Sequence, residues 1–346
     1  MRNRKILILS TALILAGAFT AVARADLLIN GAGATFPYPI YSKWFDAYAK
    51  ANPGIQFNYQ SIGSGGGIRM LTQKAVDFGA SDAPMTDEQL SKAPGTLHFP
   101  TVMGAVVVAY NLPGFQKTLR FTGPLVADIF MGKITKWNDP AIAKLNPGVT
   151  LPDSDITVAH RSDGSGTTYI FADYLSKVSP EWAKSMGKNT ALKWPTGLGG
   201  KGNEGVTAVI QQTPGAIGYV ELIYALNNNI TFAELQNKSG KWVMASLEGV
   251  TESAVSAASW FNMPADFRVS ITDERGAKAY PISSFTYLLV DRQQTDKAKG
   301  EQIVKFLKWA LSPDGQAMAE PLKYAPLPPK LIKEENAQIA KIQLPK

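Results

Sequence analysis

The ten residues from His160 to Tyr169 read His-Arg-Ser-Asp-Gly-Ser-Gly-Thr-Thr-Tyr and bring together a cation (Arg161), an anion (Asp163), two glycines and the hydroxyls of Ser165, Thr167 and Thr168. An apolar-periodic run follows at once, through Tyr169, Ile170, Phe171, Tyr174 and Leu175. A polar Gly/Ser/Thr turn feeding an amphipathic run predicts a helix N-terminus. Free backbone N–H groups and the positive end of the helix dipole favour an anion at such a place. An ordinary capped helix start would look the same, but the chain repeats the device twice. Ala34-Thr35-Phe36 opens one predicted helix, and Gly63-Ser64-Gly65-Gly66-Gly67 opens another. Each loop brings a hydroxyl and bare N–H groups to a helix start after a predicted strand, where ligands lie in open α/β sheets. Glycine lets backbone approach an oxyanion without a Cβ in the way. None of the loops is a Walker-type P-loop or a dinucleotide fingerprint.

Two charged residues sharpen this chemistry. Arg161 can clamp an oxyanion with two parallel N–H donors. Asp82 stands at a strand end before Ala83-Pro84. It either caps the helix that follows or accepts a hydrogen bond from a proton on the ligand. Asp163 either holds Arg161 in place or is a turn residue.

The elements that must position these residues alternate regularly. Strands are predicted at Leu27 to Ile29, Ile55 to Ile62, Val76 to Ala80, Phe99 to Tyr110, Ile156 to His160, Ala216 to Val220 and Ile282 to Val290. Helical patterns lie between them, with a long amphipathic one from Lys297 to Leu311. That alternation predicts an α/β fold with open, largely parallel sheets. The two long apolar strands flank the middle third, so we expect two discontinuous lobes, 26–107 with 283–346 and 108–282 between them. Two strand crossovers at the boundary would form the hinge. The polar segment Lys330 to Lys346 has no strong period and is expected to be loosely ordered.

Composition narrows the function further. Residues 1–25 carry Arg2, Arg4 and Lys5, an apolar stretch from Ile6 to Val22, and Ala23-Arg24-Ala25. This reads as a secretory signal peptide with a small-x-small cleavage site. Without it, 31 basic residues face 28 acidic ones, a net charge of +3 that does not argue for nucleic acid. There is no cysteine, hence no disulfide, thiolate metal site or lipid-bearing Cys. The two histidines, His98 and His160, are too few for a His-rich zinc site. We expect no metal, no cofactor and no catalytic residue. An exported, soluble protein without a lipid anchor suits the periplasm.

The motifs also occur in a familiar order. Gly31 to Pro37, Gly63 to Gly67, Asp77-Phe-Gly-Ala-Ser-Asp-Ala-Pro84, Phe99-Pro-Thr-Val102, Arg161 to Thr167, Gly197-Leu-Gly-Gly-Lys-Gly202 and Gly215-Ala-Ile-Gly-Tyr-Val220 together resemble the periplasmic phosphate-binding proteins of high-affinity ABC phosphate transporters. The likeness covers almost all of the chain after the signal. It implies a two-lobed periplasmic-binding-protein fold (type II) that closes on inorganic phosphate. Carried over by motif, the phosphate contacts are Ala34, Thr35, Phe36, Ser64, Asp82, Arg161, Ser165, Gly166 and Thr167. The partner implied is a membrane ABC permease of two permease subunits and an ATPase, served by a monomer. Gly65 departs from the pattern, since relatives often carry a second serine there.

The residues explain what the resemblance implies. Phosphate near neutral pH still carries a proton, which an ionised Asp82 can accept; sulfate carries none and would leave two acceptors facing each other. The rival readings are a binding protein for another oxyanion, such as sulfate or molybdate, and a secreted phosphatase using Ser165 or Ser64. A ligand without a proton gives Asp82 no purpose, and neither serine sits in a Gly-x-Ser-x-Gly elbow.

Overall fold

The computed structural model describes residues 26–115, 117–257 and 263–346, so the signal segment read at 1–25 lies outside the described residues. In chain order the first part comprises β1 (Leu27–Gly33), α1 (Tyr38–Ala51), β2 (Ile55–Ser61), α2 (Ser64–Thr72), β3 (Phe78–Ser81), α3 (Asp87–Lys92) and the long β4 (Thr96–Tyr110). The middle carries β5 (Arg120–Phe121), α4 (Gly123–Phe130), α5 (Pro140–Leu145), β6 (Thr157–Arg161), α6 (Gly166–Val178), α7 (Pro180–Ser185), β7 (Leu198–Gly200), α8 (Gly202–Gln212), β8 (Ala216–Glu221), α9 (Leu222–Asn227), β9 (Thr231–Phe232), β10 (Glu234–Gln236), β11 (Trp242–Val243) and α10 (Leu247–Ser256). β12 (Ser283–Asp291) and helices at Lys297–Ala310 and Pro329–Ile339 follow. Among the described residues no helix is long and apolar enough to cross a membrane.

The main sheet runs β2-β1-β3-β12-β4-β8-β6-β7, with β9 beside β4. β2, β1 and β3 are mutually parallel, and so are β8, β6 and β7. Between these two parallel wings, β12 and β4 pair antiparallel with their neighbours. β4 is the shared element: the stretch from Thr96 to Ala105 pairs with β12, and Val106 to Tyr110 with β8. It is buried from His98 to Tyr110, which is why Val102 to Ala109 reads as a continuous apolar run without alternation. Following the pairings, the first wing runs along β4 and the second runs against it. The carboxyl ends of both wings therefore converge on the middle of β4. The loops after β1, β2 and β3 meet those after β6, β7 and β8 there.

Each wing has its own aromatic core. In the first, Phe45 of α1 stacks on Phe57 with centroids 4.9 Å apart, and Phe306 of the Lys297–Ala310 helix closes on both. In the second, Phe171 of α6 stacks on Tyr219 of β8 at 4.4 Å. Such pairs add about 0.5–1.5 kcal/mol beyond the burial of their area. They fix α1 and α6, and with them the two helix starts at the meeting point of the wings.

The C-terminal segment departs from expectation. Pro329–Ile339 is a helix that buries Leu331, Glu335, Gln338 and Ile339, and Gln343 bonds back to Arg292 and Gln294. The apolar period was hidden because a glutamate occupies a core position. Glu335 is fully buried and neither carboxyl oxygen has a hydrogen-bond partner. Burial pushes its pKa well above the ordinary glutamate value of 4.5. A folded-state pKa above the unfolded one contributes stability at low pH that is lost as pH rises. We therefore expect the thermal midpoint to fall as pH climbs above the ordinary carboxyl range. Glu335→Gln should flatten that fall in a melting series, and an unchanged slope would contradict this.

Candidate functional site

Ala34, Thr35 and Phe36 follow β1 and are all buried. Tyrosines hold their carbonyls: Tyr59 donates to Ala34 O at 2.7 Å, Tyr224 to Thr35 O at 2.6 Å and Tyr324 to Phe36 O at 2.6 Å. A trans peptide points its N–H opposite to its C=O. The hydroxyls of Tyr59 and Tyr224 thereby fix the direction of the Thr35 and Phe36 N–H groups.

Gly63 caps α2 with φ +84°, and a Cβ on it would run into Asp163 and the Gly164 carbonyl. Only glycine meets both demands. Ser64 follows, fully buried, and its Oγ accepts the Asp82 N–H at 3.1 Å. Gly65 N–H donates to Gly164 O at 2.9 Å, so the loops after β2 and β6 touch. A Cβ on Gly65 would stand 3.1 Å from Gly164 Cα, a tight fit for any side chain.

Asp82 directly follows β3 and is 1% exposed. It does not cap α3, whose N-cap is Thr86 in a reciprocal capping box with Gln89. Instead Thr286 of β12 donates to Asp82 Oδ1 at 2.7 Å, while Oδ2 has no partner. Burial pushes the carboxyl up to about 7, against the lowering pull of Thr286, the Arg161 charge and Ser64. Gly166 packs so closely that a Cβ there would collide with Ser64 Oγ and Asp82 Oδ2.

Arg161 ends β6 and is 4% exposed. Its Nε and Nη2 donate to the two oxygens of Asp163 at 2.7 and 2.6 Å. Of the two readings of Asp163, holding Arg161 is the one realised. Burial raises the Asp163 carboxyl, but the Arg161 bonds and charge and the Gly202 N–H leave it below the ordinary aspartate value. This bidentate contact uses one parallel donor pair of the guanidinium and leaves the Nη1/Nη2 edge for a ligand, with Nη1 3.4 Å from Thr167 Oγ1. Ser165 caps α6 by accepting the Thr168 N–H at 3.0 Å, so the helix begins at Gly166, ahead of the apolar run. Ser165 and Thr167 are fully buried.

All nine sequence-predicted contact residues thus converge, with Asp163 beside them. Four further residues were missed. Asn203 at the start of α8 donates through Nδ2 to Thr35 Oγ1 at 2.7 Å and to Thr167 Oγ1 at 3.1 Å. Tyr219 accepts the Arg161 N–H at 3.1 Å and bonds Thr168 Oγ1 at 2.6 Å. Tyr224 and Thr286 act as described above. Asn203 had a readable signal, since it follows the glycine run Gly197 to Gly202 and opens a helix.

Both histidines are engaged away from the serines. His98 Nε2 accepts the Met85 N–H at 3.0 Å, and burial with the nearby Arg268 charge lowers its pKa to about 4. His160 stacks on Trp194 at 5.0 Å and its Nδ1 faces the Arg161 carbonyl. Neither is placed to activate Ser64 or Ser165 as a nucleophile. An open cavity of about 470 Å³ lies between Pro84 to Thr86, Tyr169 and Arg268, but its cations are paired: Lys188 with Asp173 at 2.5 Å, and Arg268 with Asp266 and Asp87.

Comparison with known proteins identifies the family. Residues 20–314 match the PBP superfamily domain. The chain is 49% identical over 310 residues to the phosphate-binding protein PstS of Xylella fastidiosa (strain Temecula1), covering 89% of this chain and 84% of that one. It is 44% identical over 311 residues to the PstS of Haemophilus influenzae, covering 90% and 92%. Its fold is similar to that of a high affinity periplasmic phosphate-binding protein (PfluDING) solved with bound phosphate, with a TM-score of 0.71 at 20% identity over 90% of this chain and 93% of that one. At 40–49% identity over most of its length to several PstS proteins, the chain belongs to the PstS family of phosphate-binding proteins.

Proposed function

We propose that this protein binds inorganic phosphate at the meeting point of the two wings and delivers it to an ABC-type permease for import. The observation that carries the reading is one buried acceptor among donors. Asp82 Oδ2 is unpartnered beside Ser64, Gly166 and the N-terminus of α6. A monoprotonated oxyanion satisfies such a site, because its bare oxygens take the donors and its hydroxyl serves the carboxylate. The contact set is Ala34, Thr35, Phe36, Ser64, Asp82, Arg161, Ser165, Gly166 and Thr167, with Asp163 in support. Oxyanions without a proton and phosphate-ester hydrolysis are not favoured, as the relatives are phosphate-binding proteins.

In this reading the lobes are 26–107 with 283–346, and 108–282. The switch of β4 from β12 to β8 between Ala105 and Val106 supports a hinge at that point. The protein works as a monomer in the periplasm, on a permease of two membrane subunits and an ATPase. Calorimetry of the phosphate-stripped protein tests the reading. One tight phosphate site per chain and no phosphate release from an aryl phosphate are expected; absence of phosphate binding would overturn it.

A further inference from the structure

We infer that Asn203 is a positioning residue that sets the donor direction of two hydroxyls in the anion site, one from each lobe. The inference rests on the phosphate reading and goes beyond the contact set. A hydroxyl has one proton and two lone pairs. Thr35 Oγ1 accepts twice from Asn203, from its backbone N–H at 3.1 Å and from Nδ2 at 2.7 Å. Thr167 Oγ1 accepts from Asn203 Nδ2 at 3.1 Å and lies 3.4 Å from Arg161 Nη1. With their lone pairs engaged, both hydroxyls can offer only their protons to a ligand. Asn203 cannot be turned the other way, because its Oδ1 accepts the Glu221 N–H at 2.9 Å and a backbone N–H needs an acceptor. Asn203, Thr35 and Thr167 are all buried, so water does not compete for these bonds.

The two threonines come from loops after β1 and β6, on opposite wings. Asn203 is therefore also a tie across the cleft. Its backbone sits at the N-terminus of α8, and its side chain reaches the end of β8, beside the switch point of β4. It makes the Thr35 and Thr167 hydroxyls donor-only and joins their two loops through one side chain.

The test compares Asn203→Ala, Asn203→Asp and Thr35→Val, alone and combined, in phosphate calorimetry and ligand-free melting. Asn203→Ala is expected to lose phosphate affinity by about tenfold or more. Asn203→Asp is nearly isosteric but replaces a donor with an acceptor that would draw both hydroxyl protons away from the ligand. It should bind more weakly than Asn203→Ala, whereas a merely structural role would let it recover. With Thr35 already valine, Asn203→Ala should cost clearly less than in the wild type, since neighbours acting through one group are non-additive. Wild-type affinity in Asn203→Asp, or strictly additive losses with Thr35→Val, would overturn the inference. Should Asn203→Ala not fold, the Asp variant decides alone. Failure of the wild-type protein itself to bind phosphate would overturn the functional reading and this inference with it.

Discussion

In the Asp82→Asn protein, sulfate is expected to become a competitor of phosphate. The wild-type carboxylate receives Thr286 on Oδ1 and keeps Oδ2 free. Against sulfate, that oxygen would meet another lone pair in a site without water. Sites built around such a hydrogen bond reject the partner that lacks it on the order of 10⁴-fold. Asparagine can still accept from Thr286 and turn an N–H toward the ligand, which suits sulfate and deprives phosphate of its acceptor. Sulfate affinity should rise by about 10²-fold or more, and phosphate affinity should fall by about tenfold. The wild type should approach the same behaviour at low pH. Burial lifts the Asp82 carboxyl to about 7, so below that pH it is protonated and becomes a donor. Sulfate rejection should be strongest above pH 7 and weaken below it, and Asp82→Asn should remove that pH dependence. Competition titrations across this range check both statements; unchanged sulfate rejection in the variant would remove Asp82 from the account.

The second large effect is loss of affinity without loss of selectivity, in Arg161→Ala. The guanidinium is the buried cation of the site, and charged hydrogen bonds contribute about 1.5–3 kcal/mol each. Its removal also strands Asp163, which now neutralises it through two bonds. The stranded carboxylate would in addition repel a bound anion. We expect phosphate affinity to drop by about 10³-fold or more, with the phosphate-to-sulfate preference kept because Asp82 is untouched. Adding Asp163→Asn should recover part of the loss by removing the stranded charge. Phosphate calorimetry on the single and double variants reads this directly, and an unchanged dissociation constant for Arg161→Ala would refute its role.

Much of this site was legible in the chain because its parts are local. A glycine, a hydroxyl and a following amphipathic run sit within ten residues at each of the three loops, and Arg161 and Asp163 share one of them. The long β4 was legible too, since burial on both faces leaves Val102 to Ala109 as a run with no polar break. What escaped is what acts across distance. Thr286 meets Asp82 from 204 positions away and Asn203 meets Thr35 from 168. Residue type and spacing carry no trace of such pairs until the sheet order is known. The small sheet β11-β10-β5 escaped because its strands of two or three residues are too short to show a period. The Pro329–Ile339 helix escaped because Glu335 breaks the apolar stripe it belongs to.

The claim on which the rest depends is that Asp82 recognises the ligand by its proton. The most direct measurement is sulfate competition against bound phosphate on the wild-type protein at pH 8, where the Asp82 carboxyl is ionised. Sulfate in about thousandfold excess is expected to leave phosphate in place. Displacement of phosphate by sulfate at comparable concentration would contradict it.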